Sequence, residues 1–426
     1  LGQAPMIPPA PPAAPLYSEG ARARGLTNSR SVTPQREQEI ASRFFSSGVW
    51  HEARIVQRGE LARGTKLPGP ALIIEPHQTV VVEDGWTLEV SAHDNLILKR
   101  VTPGAKAAVS PTADPVQLEI FSNAFMAVAV EMGEALRNTA QSVNIKERLD
   151  FSCAIFDPKG ALVANAPHVP VHLGSMDSSV SAVIATHGNT MQPGDVFMLN
   201  APYHGGTHLP DITVVTPVFA SEYKGVLFYA ASRGHHADIG GITPGSMSPR
   251  ATSIEEEGVY IEPCLLVSGG RFLEAETRAC FTEARYPARN PDMNIADLKA
   301  QVAANARGAG ELLRLTAEHS LEVIHEAMAH VQDYAGSAVR RLLATLPEGR
   351  ARIETDQGSV IAVAITIDRQ AQTAKIDFTG TSPQQSSNFN APVPVTRAAV
   401  LYCLRVMLNE NIPMNAGCLR PIEMVI

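Results

Sequence analysis

The stretch "VTPGAKAAVSPTA", from Val101 to Ala113, divides the chain more sharply than any other feature. It is made of small, polar and proline residues that offer nothing to a core, and the hydrophobic periodicity differs on its two sides. On the amino-terminal side, "GVWHEARIV" (Gly48 to Val56) and "GPALIIEPHQTVVVEDGWTLEV" (Gly69 to Val90) hold β-branched runs punctuated by Gly, Pro and Asp-Gly, the pattern of short strands joined by tight turns. Residues 16–100 therefore read as a small β-rich domain. A Pro-rich linker, residues 1–15, precedes it, and a second linker, residues 101–113, follows it.

On the carboxyl-terminal side Asp114 and Pro115 open a helix, the aspartate capping free amides and the proline filling a first-turn position where no N–H partner is lost. Val116, Ile120, Phe121, Phe125, Val128, Met132, Ala135 and Leu136 recur at helical spacing and should face a core. "DFSCAIFD", "DVFMLN", "DITVVTPVF" and "GVLFYAAS" then alternate with glycine-rich loops, as sheet strands do when their ends carry function. Long Ala/Leu/Glu-rich helices are expected between Met293 and Leu346, and strands return in "RIETDQGSVIAVAITIDRQAQTAKIDFTG", which turns at Asp368 to Gln372. The fold class that follows is α+β (mixed α/β): a small β-rich amino-terminal domain, then a larger domain of mixed sheets and long helices with a cleft formed by loops at strand ends.

With 426 residues and 45% apolar content the chain can bury at least one large core. A formal charge of -8 without a basic run argues against nucleic acid or anionic lipid as a partner. The five cysteines are scattered and never form a C-x-x-C pair, which reads as reduced thiols in a cytoplasmic protein. No apolar run approaches the ~18 to 20 residues of a membrane span. The initial Leu1 and the final "LRPIEMVI", a strand in mid-course, point to a fragment.

Seven of the 13 histidines (His168, His172, His187, His204, His208, His235 and His236) fall between Ala166 and Ala237. In "GGTHLPDI" (Gly205 to Ile212) and in "RGHHADIGG" (Arg233 to Gly241) a histidine precedes an aspartate by three residues among glycines. Histidine and carboxylate in a glycine loop at a strand end can present nitrogen and oxygen to one point, the donor set of Mn, Zn or Fe. A second such loop supplies a third ligand, His235 or His236, and Glu147 in "IKERLD" offers a further carboxylate. Tight turns with hydrogen-bonding histidines are the plainer alternative. His168 and His172 in "PHVPVHLGSM" fit either a substrate pocket or backbone-bonded structural positions. Arg285 and Arg289 suit an anionic substrate group or surface ion pairs. "EEEGVYI" (Glu255 to Ile261) offers acid/base carboxylates or a solvated face, and Cys153 reads as a core residue.

The segments "ERLDFSCAIFDPKGALVANAPHVPVHLGSM", "NAPYHGGTHLPDITVVTPVF", "HHADIGG", "PGSMSP", "EEEGVYI", "DLKAQVAANARG" and "NAGCLRPIE" together resemble the hydantoinase B/oxoprolinase family, over residues 114–426, with the domain truncated at its C-terminus. "LARGTKLPGPALIIEPHQTVVVEDGW" is similar to the carboxyl-terminal end of the hydantoinase A half, to which the B half is fused in single-chain 5-oxoprolinases. The resemblance implies an ATP-dependent amidohydrolase that opens a lactam or cyclic amide, such as 5-oxoproline to glutamate or a hydantoin. It implies an A-like ATPase half, in cis or trans, that binds Mg-ATP and phosphorylates the carbonyl oxygen, and a homo- or hetero-oligomer. A divalent metal on Glu147, His208, Asp211 and His235 is implied as well, with catalytic roles for His208, Asp211 and Glu147 and substrate contacts from His168, His172 and Arg285. That metal would either activate water or polarise a carbonyl. The isolated chain is expected to lack ATP-driven turnover. Two further readings stand beside this one: a subunit of an ATP-dependent acetone- or acetophenone-type carboxylase, and a non-catalytic assembly module.

Overall fold

The computed structural model describes residues 41–46, 48–102, 114–166, 168–408, 412 and 414–426, and the chain separates into two compact units, Leu1–Ala105 and Lys106–Ile426. The Pro-rich linker expected over residues 1–15, residues 16–40 of the expected β domain and nearly all of the 101–113 linker lie outside the described residues.

In the first unit β1 (Ala41–Ser46) and β2 (Val49–Gln57) form a hairpin that turns at Gly48, where φ is 82°. They continue through β4 (Ala71–Ile74) to β5 (Thr79–Val82), while β3 (Lys66–Pro68), β6 (Trp86–Val90) and β7 (Leu96–Arg100) make a second sheet. Period-two alternation points Ala71 and Ile73 inward with Leu67, Val82, Leu88 and Val90, which is the core.

The second unit opens with α1 (Pro115–Thr139), whose first turn is held by the Asp114 carboxylate accepting from the Val116 N–H at 3.0 Å. Phe121, Phe125, Val128, Met132 and Leu136 are buried as expected. Val116 and Ile120 are not: they are 65% and 59% exposed. At ~100° per residue they lie ~140° and ~100° around the helix from Phe121, outside the arc that the later residues define.

A short turn of helix, α2 (Val143–Lys146), leads into a seven-stranded sheet in the order β14-β13-β10-β11-β12-β8-β9, every neighbouring pair antiparallel. Its strands are β8 (Phe151–Phe156), β9 (Leu162–Asn165), β10 (Val196–Leu199), β11 (Asp211–Val218), β12 (Phe228–His235), β13 (Cys264–Ser268) and β14 (Arg271–Phe272). The central strands read as nearly continuous apolar runs because both faces are covered. One face packs on α4 (Met176–His187), which follows the short α3 (Pro170–Leu173), through Met176, Val180 and Val183 against Ala154, Phe197, Val215 and Ala231. The other meets α1 and α7 (Pro291–His319), which in the chain follows the short α5 (Ile254–Glu257) and α6 (Glu274–Thr282).

On α7, Gln301 and Asn305 sit one turn apart and donate side-chain N–H groups to strand carbonyls: Gln301 to Ile212 at 3.0 Å and Ser232 at 3.1 Å, Asn305 to Val214 at 3.0 Å. α8 (Leu321–Leu343) follows after Ser320, which adopts φ 77° and breaks the long helical stretch in two. A mixed sheet of β15 (Gly349–Glu354), β16 (Val360–Asp368), β17 (Thr373–Asp377) and β18 (Ile422–Val425) shares a third core with α8 and α9 (Val393–Met407). No helix among the described residues is long and apolar enough to cross a membrane.

Candidate metal centre

Strand register builds this site. β11 and β12 pair Asp211 with His235 and Thr213 with Arg233, and β8 sets Ser152 opposite Arg233. Side chains alternate along a strand, so Asp211, Thr213, Arg233, His235 and Ser152 share one face while Ile212, Ser232 and Gly234 do not. The backbone N–H of His235 donates to the Asp150 carbonyl at 3.0 Å, which brings Asp150 alongside as well.

The loop before β11 delivers His208. Gly205 takes φ 89°, and a Cβ on Gly206 would collide with the Asn200 carbonyl, so the two glycines let the chain fold tightly onto the end of β10. The loop returns with His208 Nδ1 2.8 Å from Asp211 Oδ2, three residues on.

Asp211 is the hub and is 1% exposed. Its Oδ2 accepts from His172 Nε2 at 3.1 Å, Thr207 Oγ1 at 2.8 Å and His208 Nδ1, and its Oδ1 from His235 Nδ1 at 3.2 Å. Burial by itself would raise its pKa, but the bonds from His172, His208 and His235 outweigh that and hold it well below the usual carboxylate range. For His235 burial works against the charged form, yet the Asp211 bond prevails and its pKa is raised. Ligand atoms of His208, Asp211 and His235 all lie within 4.8 Å of one another.

The other expected site residues are placed differently. Glu147 ends α2, exposed, and does not belong to that trio; the chain then turns through Leu149 at φ 57°, so the carboxylate nearest the trio from this segment is that of Asp150, 3.8 Å from His235 Nδ1. His236 points to the opposite face, fully buried between Gln301 Oε1 and Asn294 Nδ2, both at 3.1 Å. The second H-x-x-D loop contributes His235 but not its aspartate, because Asp238 instead accepts from the N–H groups of Gly240, Gly245 and Arg289 and pairs with the Arg289 guanidinium at 2.7 Å.

His172 lies beneath Asp211 at 1% exposure, its Nδ1 2.9 Å from Ser152 Oγ, and does not line an open pocket. Burial keeps its pKa below the ordinary value although Asp211 pulls the other way. His168 packs its ring 4.7 Å from Phe151 and takes the Cys153 N–H at 3.3 Å, with burial lowering its pKa to about 4. Arg285 is exposed and pairs with Glu255 at 3.5 Å. Cys153 is a core residue, its thiol pushed up by burial. Glu257, at the end of α5, is half-buried; burial raises its pKa against a weaker pull from nearby His208.

Sequence reasoning missed Asp150, Ser152, Thr207 and Arg233. Arg233 is fully buried, yet every partner of its guanidinium is neutral: Thr213 Oγ1 at 2.8 Å, Ser175 Oγ at 2.5 Å, Ser179 Oγ at 2.7 Å and the Gly205 carbonyl at 3.4 Å. Burial lowers its pKa to about 10. The signal was present in the period of two, since Arg233 and His235 alternate around Gly234.

Two imidazoles and one buried anionic carboxylate form a donor set that fits a borderline divalent cation such as Zn, Mn or Fe better than an oxygen-seeking Ca or Mg.

Residues 114–426 match the hydantoinase B/oxoprolinase family, and residues 26–101 match the hydantoinase/oxoprolinase C-terminal domain. The chain is 42% identical over 420 residues to 5-oxoprolinase 1 of Arabidopsis thaliana, covering 92% of this chain and 33% of that protein. It thus spans about a third of the length of such a relative. Among solved structures, the ATP-dependent caprolactamase of Pseudomonas jessenii superposes with a TM-score of 0.65 at 26% identity, over 74% of this chain and 54% of that one. A nucleotide-free acetone carboxylase gives 0.63 at 16% identity, over 76% and 45%, a likeness of fold alone.

Proposed function

Because the chain belongs to the hydantoinase B/oxoprolinase family, we propose that it supplies the metal-bearing hydrolytic half of an ATP-dependent enzyme that opens a lactam or other cyclic amide, with 5-oxoproline the first substrate to test. The observation that carries this reading is the convergence of His208, Asp211 and His235 at the mouth of two paired strands. In it, those three residues would hold a divalent cation, and the segment that bears Glu147 and Asp150 could offer a further oxygen. A cation held there would supply either polarisation of a carbonyl oxygen or activation of the water that attacks the amide carbon. The chain itself contributes a preset anion: Asp211 arrives ionised, oriented and desolvated, so little reorganisation accompanies loading. His208, the most exposed of the three, faces the approach, with Glu257 nearby.

An amide carbonyl is a poor electrophile, so activation by ATP belongs to an A-type half in cis or trans. Residues 26–101 represent the carboxyl-terminal domain of such a half, and residues 114–426 the B half. This chain by itself is therefore expected to give no glutamate above a no-enzyme control when mixed with ATP and 5-oxoproline. The five cysteines are all free, which suits a cytoplasmic location.

The test is elemental analysis of the purified protein together with ATP-dependent 5-oxoproline cleavage once the A half is restored. Stoichiometric Mn, Zn or Fe that disappears in His208→Ala, with cleavage lost in parallel, supports the reading. Unchanged metal content in His208→Ala and Asp211→Ala leaves the loops as turns only, and bicarbonate-dependent ATP use without amide cleavage points to a ketone carboxylase.

A further inference from the structure

Asp211 has two oxygens and unequal neighbours. Three donors crowd Oδ2 and one meets Oδ1. Of the three, His208 is half-exposed and belongs to the trio, whereas Thr207 and His172 are buried and remote from the opening. A carboxylate only accepts hydrogen bonds, so the His172 nitrogen facing it, Nε2, bears the hydrogen. The other ring nitrogen is left to accept the Ser152 hydroxyl at 2.9 Å. Ser152 is 2% exposed within β8, so it is sealed away from any substrate and its hydroxyl has no nucleophilic use. Thus Ser152, His172 and Asp211 form a relay-like row in which the terminal serine is a strut.

We infer that His172, locked by Ser152 and assisted by Thr207, is a positioning residue that clamps Asp211 Oδ2 from behind and so fixes the carboxylate plane that the trio presents to its cation. This rests on the metal centre proposed above and concerns residues that lie behind the trio. Freed of the clamp, Asp211 would rotate about its terminal torsion, which is intrinsically broad, and the angle between its oxygens and the imidazoles of His208 and His235 would be lost. Partners of this kind typically govern ligand orientation and with it affinity.

The experiment titrates Mn2+ alone into this chain, reading the dissociation constant and the electron paramagnetic resonance spectrum of the bound ion. His172→Phe keeps the ring volume without a donor and is expected to weaken Mn2+ about ten- to a hundredfold and broaden the spectrum, while His172→Gln, which retains an N–H toward Asp211, stays within about threefold of wild type. Ser152→Ala and Thr207→Val should each weaken binding by a smaller factor. A wild-type affinity and spectrum in His172→Phe overturns the inference. Should His172→Phe fail to fold, wild-type affinity in both Ser152→Ala and Thr207→Val overturns it instead. If the wild-type chain binds none of Mn2+, Zn2+ and Fe2+, the proposed function falls along with this inference; if it binds one of them and every variant binds that ion equally, only this inference falls.

Discussion

Replacing Asp211 by asparagine isolates the charge of the hub from its shape. The amide has one oxygen and one NH2 group, and the buried carboxylate currently meets donors on both sides. Turning the NH2 toward Oδ2 would confront His172, Thr207 and His208 together; turning it toward Oδ1 confronts only His235, which can shift its hydrogen to the other nitrogen and accept. The second orientation wins. Three bonds then survive but lose their charged acceptor, at about 1 kcal/mol each, so the variant should be less stable by about 3 kcal/mol. Burial of Arg233 adds to this, because Asp211 is the first charge that favours its protonated form. With roughly 2 °C per kcal/mol for a unit of this size, the midpoint in chelator-treated buffer should fall by about 6 °C. Calorimetry on the metal-free protein reads that shift, and a Mn2+ titration of the same sample should show a loss above about a hundredfold, since the only anion of the trio is gone. A variant melting within a degree of wild type would refute the hub account, and one that also binds Mn2+ normally would remove Asp211 from the site.

Four further outcomes are expected. His168 has a pKa of about 4 in the fold against 6.5 when free, so the unfolded chain binds more protons between those values; its contribution is complete above pH 6.5 and falls by ~3 kcal/mol as pH drops through the window to 4, and a His168→Gln variant with the same pH slope in chemical denaturation would contradict this. In Gly206→Ala the new methyl meets the Asn200 backbone, so about 1 to 3 kcal/mol and part of the Mn2+ affinity should be lost; Gly310→Ala, with open space at an exposed position of α7, should instead gain about 0.5 to 1 kcal/mol, and equal melting shifts in the two would be wrong for this loop. Phe125→Ala should cost about 3 to 5 kcal/mol while Ile120→Ala changes stability by less than about 0.5 kcal/mol, as denaturant midpoints would show. Removing both carboxylates of the segment that precedes β8, Glu147→Gln with Asp150→Asn, should weaken Mn2+ more than about tenfold; wild-type affinity would confine the ligands to three.

What the sequence disclosed was set by how far apart the determining atoms lie. The Asp114 cap, the strand at "DITVVTPV" and the turn at "GGTHLPD" depend on residues a few positions away, and each was readable. The phase of α1 was misjudged at Val116 and Ile120, because which arc of an apolar helix is covered depends on α7 and α8, far along the chain. The pairing of His208 with Asp211 is local and visible in the motif. That Asp238 would cap its own glycines while Asp150 drew near His235 depends on the register of β8 against β12, which no short motif encodes. Ser152 drew no attention, and His172 reads as a pocket or backbone-bonded position without its partners, since a buried polar row shows itself only when strands are laid side by side.

Gln301 and Asn305 also act as an index. A helix held only by oily contacts can slip or roll with modest loss, but these two amides engage the carbonyls of Ile212 and Ser232, immediately next to Asp211 and Arg233, and that of Val214 further along β11. One residue inserted early in α7 would swing both by ~100° and offer Ala300 and Ala304 in their stead. Length changes between β12 and α7 can therefore accumulate in the intervening loops but not within the first three turns of the helix, and the rotational setting of α7 is transmitted to the two strands that carry the chemistry.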